Sequence, residues 1–248
     1  MEQVYLGTMG WSYKFWKIYE ETKPSEFLPQ YSKHFNSVEV NSTFYRIPRK
    51  TSVEKWRSQT PPNFRFSVKI PQSISHSFKL NFNPEKLDVF VEHIKPFGKK
   101  LGPLLVQFPP RLKPENTPQL EVLLNQLEDY TSAIEFRHKD WFQEKSYKLL
   151  REHNASLVYV EHPWQHSEEI ETSDFIYIRL EGDRKKVSGE LGKMELNRII
   201  DNDIWAEKIA QQSQRNRTIY LYVSKYYSGY PPADIQQITA KLDTLKNI

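Results

Sequence analysis

A seven-residue stretch in which apolar and polar side chains alternate decides the fold: Phe64-Arg65-Phe66-Ser67-Val68-Lys69-Ile70. Successive side chains of a β-strand point to opposite faces, so the phenylalanines, valine and isoleucine share one face, and the arginine, serine and lysine share the other. A strand of an antiparallel sheet with one wet face alternates in the same way. The segments on either side of this strand indicate whether it belongs to such a sheet or to a barrel.

Seven further strand-like segments accompany residues 64–70, and helix-like segments separate most of them. The strands are predicted at residues 4–7, 38–41, 64–70, 104–108, 133–137, 157–161, 175–181 and 219–224. The helices are predicted at residues 84–98, 115–127, 144–153, 195–211 and 231–245. Strands that alternate with helices predict an α/β protein with a parallel sheet, and eight such units in roughly 250 residues predict a (β/α)8 barrel of the TIM type. Residues 161–174 have no helical pattern, so the helix between strands 6 and 7 is expected to be missing.

The composition favours a single domain over residues 1–248 and excludes several kinds of site. No linker or internal repeat divides the chain. The absence of cysteine excludes disulfides, thiolate nucleophiles and cysteine-ligated metals. The net charge of +4 comes from 35 basic and 31 acidic residues, a mixed surface unlike that of a dedicated nucleic-acid binder. Because the sequence lacks a signal-peptide pattern and any run of ~18 apolar residues, we expect a soluble, cytoplasmic protein without membrane contact.

Charged side chains are expected to converge at one end of this barrel. The alternation of residues 64–70 recurs in most of the other strands, and barrel enzymes carry their active sites at the carboxyl ends of the strands. The polar residues expected in the lumen near that end are Glu39, Asn41, Lys69, Gln107, Glu135, Arg137, Glu161, Arg179 and Glu181. Because unpaired buried ions are costly, this ring predicts either a binding pocket or an ion-paired lumen that only fills space.

Four motifs occur in order along the chain: GTMGWSY at 7–13, VEVNSTFY at 38–45, LGPLLVQFPP at 101–110 and EFRHKDW at 135–141. Together they resemble the YecE-like family, catalogued as a domain of unknown function. The resemblance covers nearly the whole chain and implies a TIM-type barrel, but no established activity. Two strand ends depart from the family pattern: Glu181, where members often have histidine, and residues 223–225, where members often have a Phe-Asn-Asn-like ending.

Two lumenal carboxylates, Glu39 and Glu135, are the candidate catalytic residues. Paired carboxylates across a pocket are typical of glycoside hydrolysis, and Arg137 is expected to keep Glu135 ionised. Lys69 is expected to bind an anionic group or, if desolvated, to act as a base or Schiff-base nucleophile. The predicted substrate-binding residues offer amides, cations and flat rings: Asn41, Lys69, Gln107, Arg137, His138, Arg179, Trp11, Tyr45 and Trp141.

These residues predict an enzyme that acts on a polar or anionic small substrate. Hydrolysis of a glycosidic or phosphoester bond is favoured because no redox or nucleotide cofactor motif is present. Two alternatives stay open. One is a barrel enzyme that depends on a divalent metal, with Glu39, Glu135, Glu161 and His138 as candidate ligands. The other is a non-catalytic module that binds a ligand or nucleic acid through Lys69 and Arg137.

Overall fold

A computed structural model describes residues 4–246 and shows a closed barrel of eight parallel strands. Each strand pairs with the next in chain order, and the last pairs with the first. The strands are β1 (Val4–Met9), β2 (Ser37–Val40), β3 (Arg65–Lys69), β4 (Leu101–Gln107), β5 (Ser132–Glu135), β6 (Ser156–Glu161), β7 (Phe175–Leu180) and β8 (Thr218–Val223). The prediction of a TIM-type α/β barrel is confirmed.

Helices surround the barrel at nearly every crossover. Within the described residues they are α1 (Phe27–Tyr31), α2 (Lys50–Ser58), α3 (Gln72–Ser75), α4 (Pro84–Ile94), α5 (Thr117–Gln126), α6 (Glu144–Glu152), α7 (Ile199–Gln214), α8 (Lys225–Ser228) and α9 (Pro231–Lys246). Residues 162–174 contain no helix, so the prediction that the helix between β6 and β7 is missing is confirmed. Helix α7 begins at Ile199 instead of residue 195, because Glu195 N–H donates to Ser228 O (2.6 Å) and its carboxylate accepts from Gly189 N (2.7 Å).

In most strands the apolar side chains of one face pack outward against the helices, and the side chains of the other face fill the lumen. Phe66 of β3 stacks on Phe97 with ring centroids 4.5 Å apart, in the core between barrel and helices. A smaller inner cluster contains Leu105, Tyr177 and Tyr222. This lumen is a packed interior, as expected for a TIM barrel.

Strand β6 is turned the opposite way from its prediction. Its register pairs Val160 with Arg179 and Glu161 with Leu180, so the valines of β6 face the lumen. Glu161 points outward, where it accepts a hydrogen bond from Trp205 Nε1 of α7 (2.5 Å) and lies 3.8 Å from Arg198 Nη1. The prediction that Glu161 joins the lumenal ring is therefore wrong. The cause is that α7 supplies polar partners outside the barrel, whereas valine fits the inner cluster.

Tyrosine hydroxyls connect the lower lumen to the charged end of the barrel. Tyr177 OH shares a hydrogen bond with Ser67 Oγ (2.6 Å) and donates to Glu39 Oε2 (2.8 Å). Tyr222 OH and Ser37 Oγ are 2.7 Å apart. Tyr177 thus links Ser67 in the lower lumen to the carboxylate of Glu39, and all of these buried hydroxyls are paired.

Tyr31 of α1 attaches the first helix to two barrel strands. Its ring is fully buried, and its hydroxyl accepts from Thr8 N (2.9 Å) and donates to Ser37 O (2.8 Å). The side chain thereby satisfies backbone groups of both β1 and β2, which unpaired would each cost about 1–3 kcal/mol.

Replacing Tyr31 with phenylalanine should lower the free energy of unfolding by about 1–3 kcal/mol, because a buried donor and a buried acceptor lose their partner. Urea denaturation followed by circular dichroism measures the change. Tyr45→Phe is the matched control, since the Tyr45 side chain is 77% exposed. Equal stabilities of the two variants would contradict this role for Tyr31.

Candidate functional site

A cavity of about 610 Å³ opens at the carboxyl ends of the strands. Its floor is formed by polar residues of β3, β4 and β7 and of the segment that follows β5, and its walls by aromatic residues and prolines from the loops. The residues that line it include Asn41, Phe44, Tyr45, Lys69, His76, Gln107, Phe108, Pro109, Pro110, Arg137, His162, Trp164, Arg179, Glu181, Arg184, Lys225 and Tyr226. Five of the predicted binding residues, Asn41, Lys69, Gln107, Arg137 and Arg179, meet at this floor together with Glu181.

Arg179 lies at the centre of the floor and binds three carboxylates. Its Nε and Nη2 form a two-point contact with Glu39, at 2.9 Å to Oε2 and 3.0 Å to Oε1. Its Nη1 donates to Glu135 Oε2 (2.5 Å) and also to Glu181 Oε1. A planar guanidinium suits this arrangement because its donors have a fixed fork geometry.

Glu39 is fully buried, and its acceptor positions are occupied. Oε1 accepts from Asn41 Nδ2 (2.8 Å) and Arg179 Nη2, while Oε2 accepts from Tyr177 OH and Arg179 Nε. A carboxylate offers about four acceptor sites, so all of those on Glu39 are used. The carboxylate does not line the cavity.

Glu135 is also fully buried below the cavity floor. It accepts hydrogen bonds from Arg179 Nη1 and from Gln107 Nε2 (2.8 Å), and its Oε1 lies 2.5 Å from Arg137 Nε. Burial acts to raise the pKa of Glu135, but the positive charges of Arg137 and Arg179 outweigh it and hold that pKa at about 2. The carboxylate is therefore ionised at neutral pH and is not poised to donate a proton.

Lys69 differs from the two arginines of the floor because it has no carboxylate partner. Its Nζ donates to Gln107 Oε1 (2.6 Å) and lies 4.5 Å from the centre of the Phe44 ring. Among residues 4–246, no carboxylate lies within ion-pairing distance of it. Burial, together with the charge of Arg179, lowers the pKa of Lys69 to about 8.

The rim of the cavity is formed by loops that the sequence patterns did not place at the site. Tyr226 lies between Arg184 and Lys225, with ring-to-cation distances of 4.8 and 4.9 Å. Arg184 belongs to the charged segment 183–186, which follows β7. A Cβ at Gly182 would lie 2.2 Å from Tyr226 O, and this close approach joins the loops after β7 and β8.

Trp164 is a further rim residue that the strand patterns did not predict. It is 59% exposed, with Lys185 4.9 Å from its ring. His162, in the same helix-free crossover, accepts from Trp164 N at 3.2 Å. Burial lowers the pKa of His162, as it does that of His76 on the opposite wall, whose pKa falls to about 4. Both imidazoles are thus uncharged near neutral pH.

Three predicted binding residues do not reach the cavity. Trp141 is fully buried, stacks on Phe136 (4.5 Å) and donates from Nε1 to Leu112 O. Trp11 packs edge-on against Trp56 (5.3 Å), and His138 accepts from Asp140 N. Tyr45, the third aromatic residue among the predicted binding residues, does line the cavity, together with Tyr13 and Phe44.

No group of three or more histidine or acidic side chains with an arrangement suited to a metal occurs among residues 4–246. The ligand set considered from the sequence is not assembled, because Glu161 lies outside the barrel while Glu39 and Glu135 bind arginines. The metal-dependent alternative therefore has no support in this arrangement of side chains.

A closed parallel barrel with a charged cavity at the carboxyl ends of its strands defines a TIM-type barrel protein. The model of the family described as "Protein of unknown function DUF72" matches residues 5–247. The chain belongs to this family, which confirms the resemblance to YecE-like proteins. In the described part of the chain, no helix is long and apolar enough to span a membrane.

Two curated relatives carry related names. The chain is 32% identical over 140 residues to UPF0759 protein YecE of Escherichia coli K12, an alignment that covers 56% of this chain and 50% of the relative. It is 32% identical over 153 residues to UPF0759 protein YunF of Bacillus subtilis 168, covering 58% and 54%. The aligned part thus spans about half the length of these relatives.

Solved structures match over almost the whole chain. A DUF72 family protein of Thermotoga maritima MSB8 superimposes with a TM-score of 0.84 and 31% identity, covering 97% of this chain and 99% of that one. A DUF72 family protein of Enterococcus faecalis V583 gives 0.80 at 22% identity, with coverage of 97% and 95%, which supports the fold alone.

Replacing Arg179 with methionine should lower the free energy of unfolding by about 3–5 kcal/mol, because Glu39 and Glu135 would stay buried without their shared cation. Urea denaturation at pH 7 measures the loss. The control is Lys148→Met, which breaks an exposed pair with Glu152 and should change stability by less than about 1 kcal/mol. A loss for Arg179→Met no larger than that of the control would disprove the central role of Arg179.

The lowered pKa of Glu135 also predicts how stability depends on pH. Its ionised form stabilises the fold fully above its ordinary pKa of 4.5, and this contribution is lost as the pH falls toward about 2. The stability difference between the wild type and Glu135→Gln should therefore shrink between pH 5 and roughly pH 2.5. Chemical denaturation across this range tests it, with Glu121→Gln as a surface control. A difference that stays constant with pH would show that Glu135 is not held ionised.

Proposed function

We propose that this protein is an enzyme that acts on a small anionic substrate bound between Lys69 and Arg137. The observation that carries the proposal is that Lys69 faces the cavity without a carboxylate partner. Because no carboxylate compensates the charge of Lys69, that charge is available to an anionic ligand.

The rest of the cavity supports the same ligand charge. Four further cations line it: Arg137, Arg179, Arg184 and Lys225. Glu181 is the single carboxylate among the described lining residues, and it is held by Arg137 Nη2 (2.8 Å) and Arg179. Because these arginines compensate the charge of Glu181, a carboxylate or phosphate ester that binds in the cavity meets no unpaired negative charge.

Apolar side chains form another part of the cavity lining and suit the uncharged part of the same molecule. Phe44 and Phe108 line it together with Pro109 and Pro110, and Tyr45 extends it at the mouth. Aromatic faces pack against the carbon skeleton of sugars and of other flat ligands. A substrate with an anionic group and a carbon backbone of a few atoms matches both the cations and the apolar side chains of the cavity.

Lys69 is the group we propose for proton transfer, since its pKa of about 8 lies near working pH. The two-carboxylate mechanism inferred from the sequence requires Glu39 and Glu135 to reach the substrate, whereas both lie below the floor and bind Arg179. Hydrolysis of a glycosidic or phosphoester bond stays a prediction, with Lys69 as the acid or base in place of that pair.

Thermal-shift and calorimetric titrations with phosphate, glycerol 3-phosphate, glucose 6-phosphate and uncharged glucose test the proposal. We expect the phosphate esters to bind and glucose not to bind, because charge-assisted hydrogen bonds carry the affinity. Lys69→Ala and Arg137→Ala should each weaken binding by about tenfold or more, at 1.5–3 kcal/mol per charged hydrogen bond.

Lys100→Ala is the matched control. Lys100 also has a lowered pKa caused by burial, but it binds Arg57 O and Thr60 O on the outside of the barrel. Binding of glucose as tight as that of its phosphate ester, or no binding of any anion, would contradict the proposed substrate charge. Conversion of a bound ester, followed by phosphorus NMR, separates an enzyme from a non-catalytic binding module.

A further inference from the structure

The amino group of Lys69 is largely buried but lines the open cavity. The residue is 9% exposed, its Nζ is 4.5 Å from the centre of the Phe44 ring, and it lines the cavity. An ammonium group buried in this way loses part of its hydration, and no carboxylate contacts it directly to compensate its charge. These are the conditions under which a lysine becomes a nucleophilic amine.

Gln107 keeps the nearest buried carboxylate away from Lys69. Its Nε2 donates to Glu135 Oε1 (2.8 Å), so its carbonyl oxygen must face Lys69, from which it accepts at 2.6 Å. A glutamate at this position would form an ion pair and hold the lysine protonated. The neutral amide instead positions the amino group without that pairing.

We infer that Lys69 forms a Schiff base with the carbonyl carbon of a small aldehyde or ketone whose anionic group binds Arg137. The inference rests on the proposed function, since it places the anionic substrate in the same cavity. It adds that the substrate carries a carbonyl group and that the chemistry is covalent.

The reaction is balanced without a metal or a redox partner. Lys69 first loses a proton to solvent, and the lone pair of the amine attacks the carbonyl carbon. The carbonyl oxygen takes up a proton to give a carbinolamine, which then loses water, and a carbon–nitrogen double bond forms. The amine donates the electron pair, water is the leaving group, and no atom is oxidised or reduced.

Burial of Lys69, together with the charges around it, sets the pH at which the amine becomes available. Those that face it are Arg179, Glu135, Glu39 and Glu181, while His76 is uncharged near neutrality. With a pKa of about 8, about a tenth of the amine is neutral at pH 7 and half at pH 8. The rate of imine formation should therefore rise from pH 6.5 to pH 9 with a midpoint near 8.

Trapping with sodium cyanoborohydride, which reduces an imine to a stable secondary amine, tests the inference. The probes are glyoxylate, dihydroxyacetone phosphate and uncharged dihydroxyacetone, and intact-mass and peptide-mapping spectrometry give the site. We expect one adduct per chain, at Lys69, formed at least tenfold faster with the anionic probes. Arg137→Ala should reduce the preference of the variant for the anionic probes over dihydroxyacetone at least tenfold, because the guanidinium that binds their anionic group is lost.

Three variants make the result specific. Lys69→Arg should remove the rapid adduct, and Lys100→Arg should leave it unchanged, because Lys100 lies outside the cavity and donates to Thr60 O. Gln107→Glu should slow trapping at pH 7 at least tenfold by pairing with Lys69. If Gln107→Glu does not fold, the pH profile of the wild type gives the same information, and a midpoint above pH 10 would overturn the inference.

The outcomes separate this inference from the proposed function. Labelling spread evenly over surface lysines, or no labelling of Lys69 while phosphate esters still bind, overturns the Schiff base and leaves the anion-binding enzyme standing. No labelling and no binding of any anion overturns both.

Discussion

The buried guanidinium of Arg179 is the constraint on which the site depends. Removing such an ion from water costs several kcal/mol, roughly the whole margin of stability of a domain, so it persists only with close counter-charges. Glu39, Glu135 and Glu181 supply them from β2, β5 and the end of β7. The guanidinium therefore ties β2, β5 and β7 together at the open end of the barrel.

This constraint also divides the polar residues into two kinds. Glu39 and Glu135 have the burial and bonding of structural ions, although their residue type is that of catalytic groups. Lys69 has the residue type of an anion binder but lacks an ion partner. The role proposed for Lys69 thus follows from its lack of a carboxylate partner. That lack depends on geometry and cannot be derived from the residue type alone.

The strands were predictable from the sequence because alternation fixes which residues share a face. It does not fix which face is inside, and β6 illustrates this: Tyr159 and Glu161 contact the outer layer, while valine fits beside Tyr177. The loops were less predictable still. Trp141 follows a strand end but is buried, whereas Arg184 lies in a charged segment and reaches the cavity, because tertiary packing and not local pattern orients loop side chains.

The crossover between β6 and β7 shapes the entrance of the cavity. Since residues 162–174 carry no helix, α7 covers the outside of β6 through Trp205, and the crossover is free to extend toward the mouth. Two hydroxyls anchor the rest of this crossover to β6: Ser167 Oγ accepts from Val160 N, and Thr172 Oγ1 accepts from Leu157 N. Changes beside the exposed Trp164 would therefore alter the entrance at little thermodynamic cost, whereas changes at Ser167 or Thr172 would leave backbone groups of the barrel without partners.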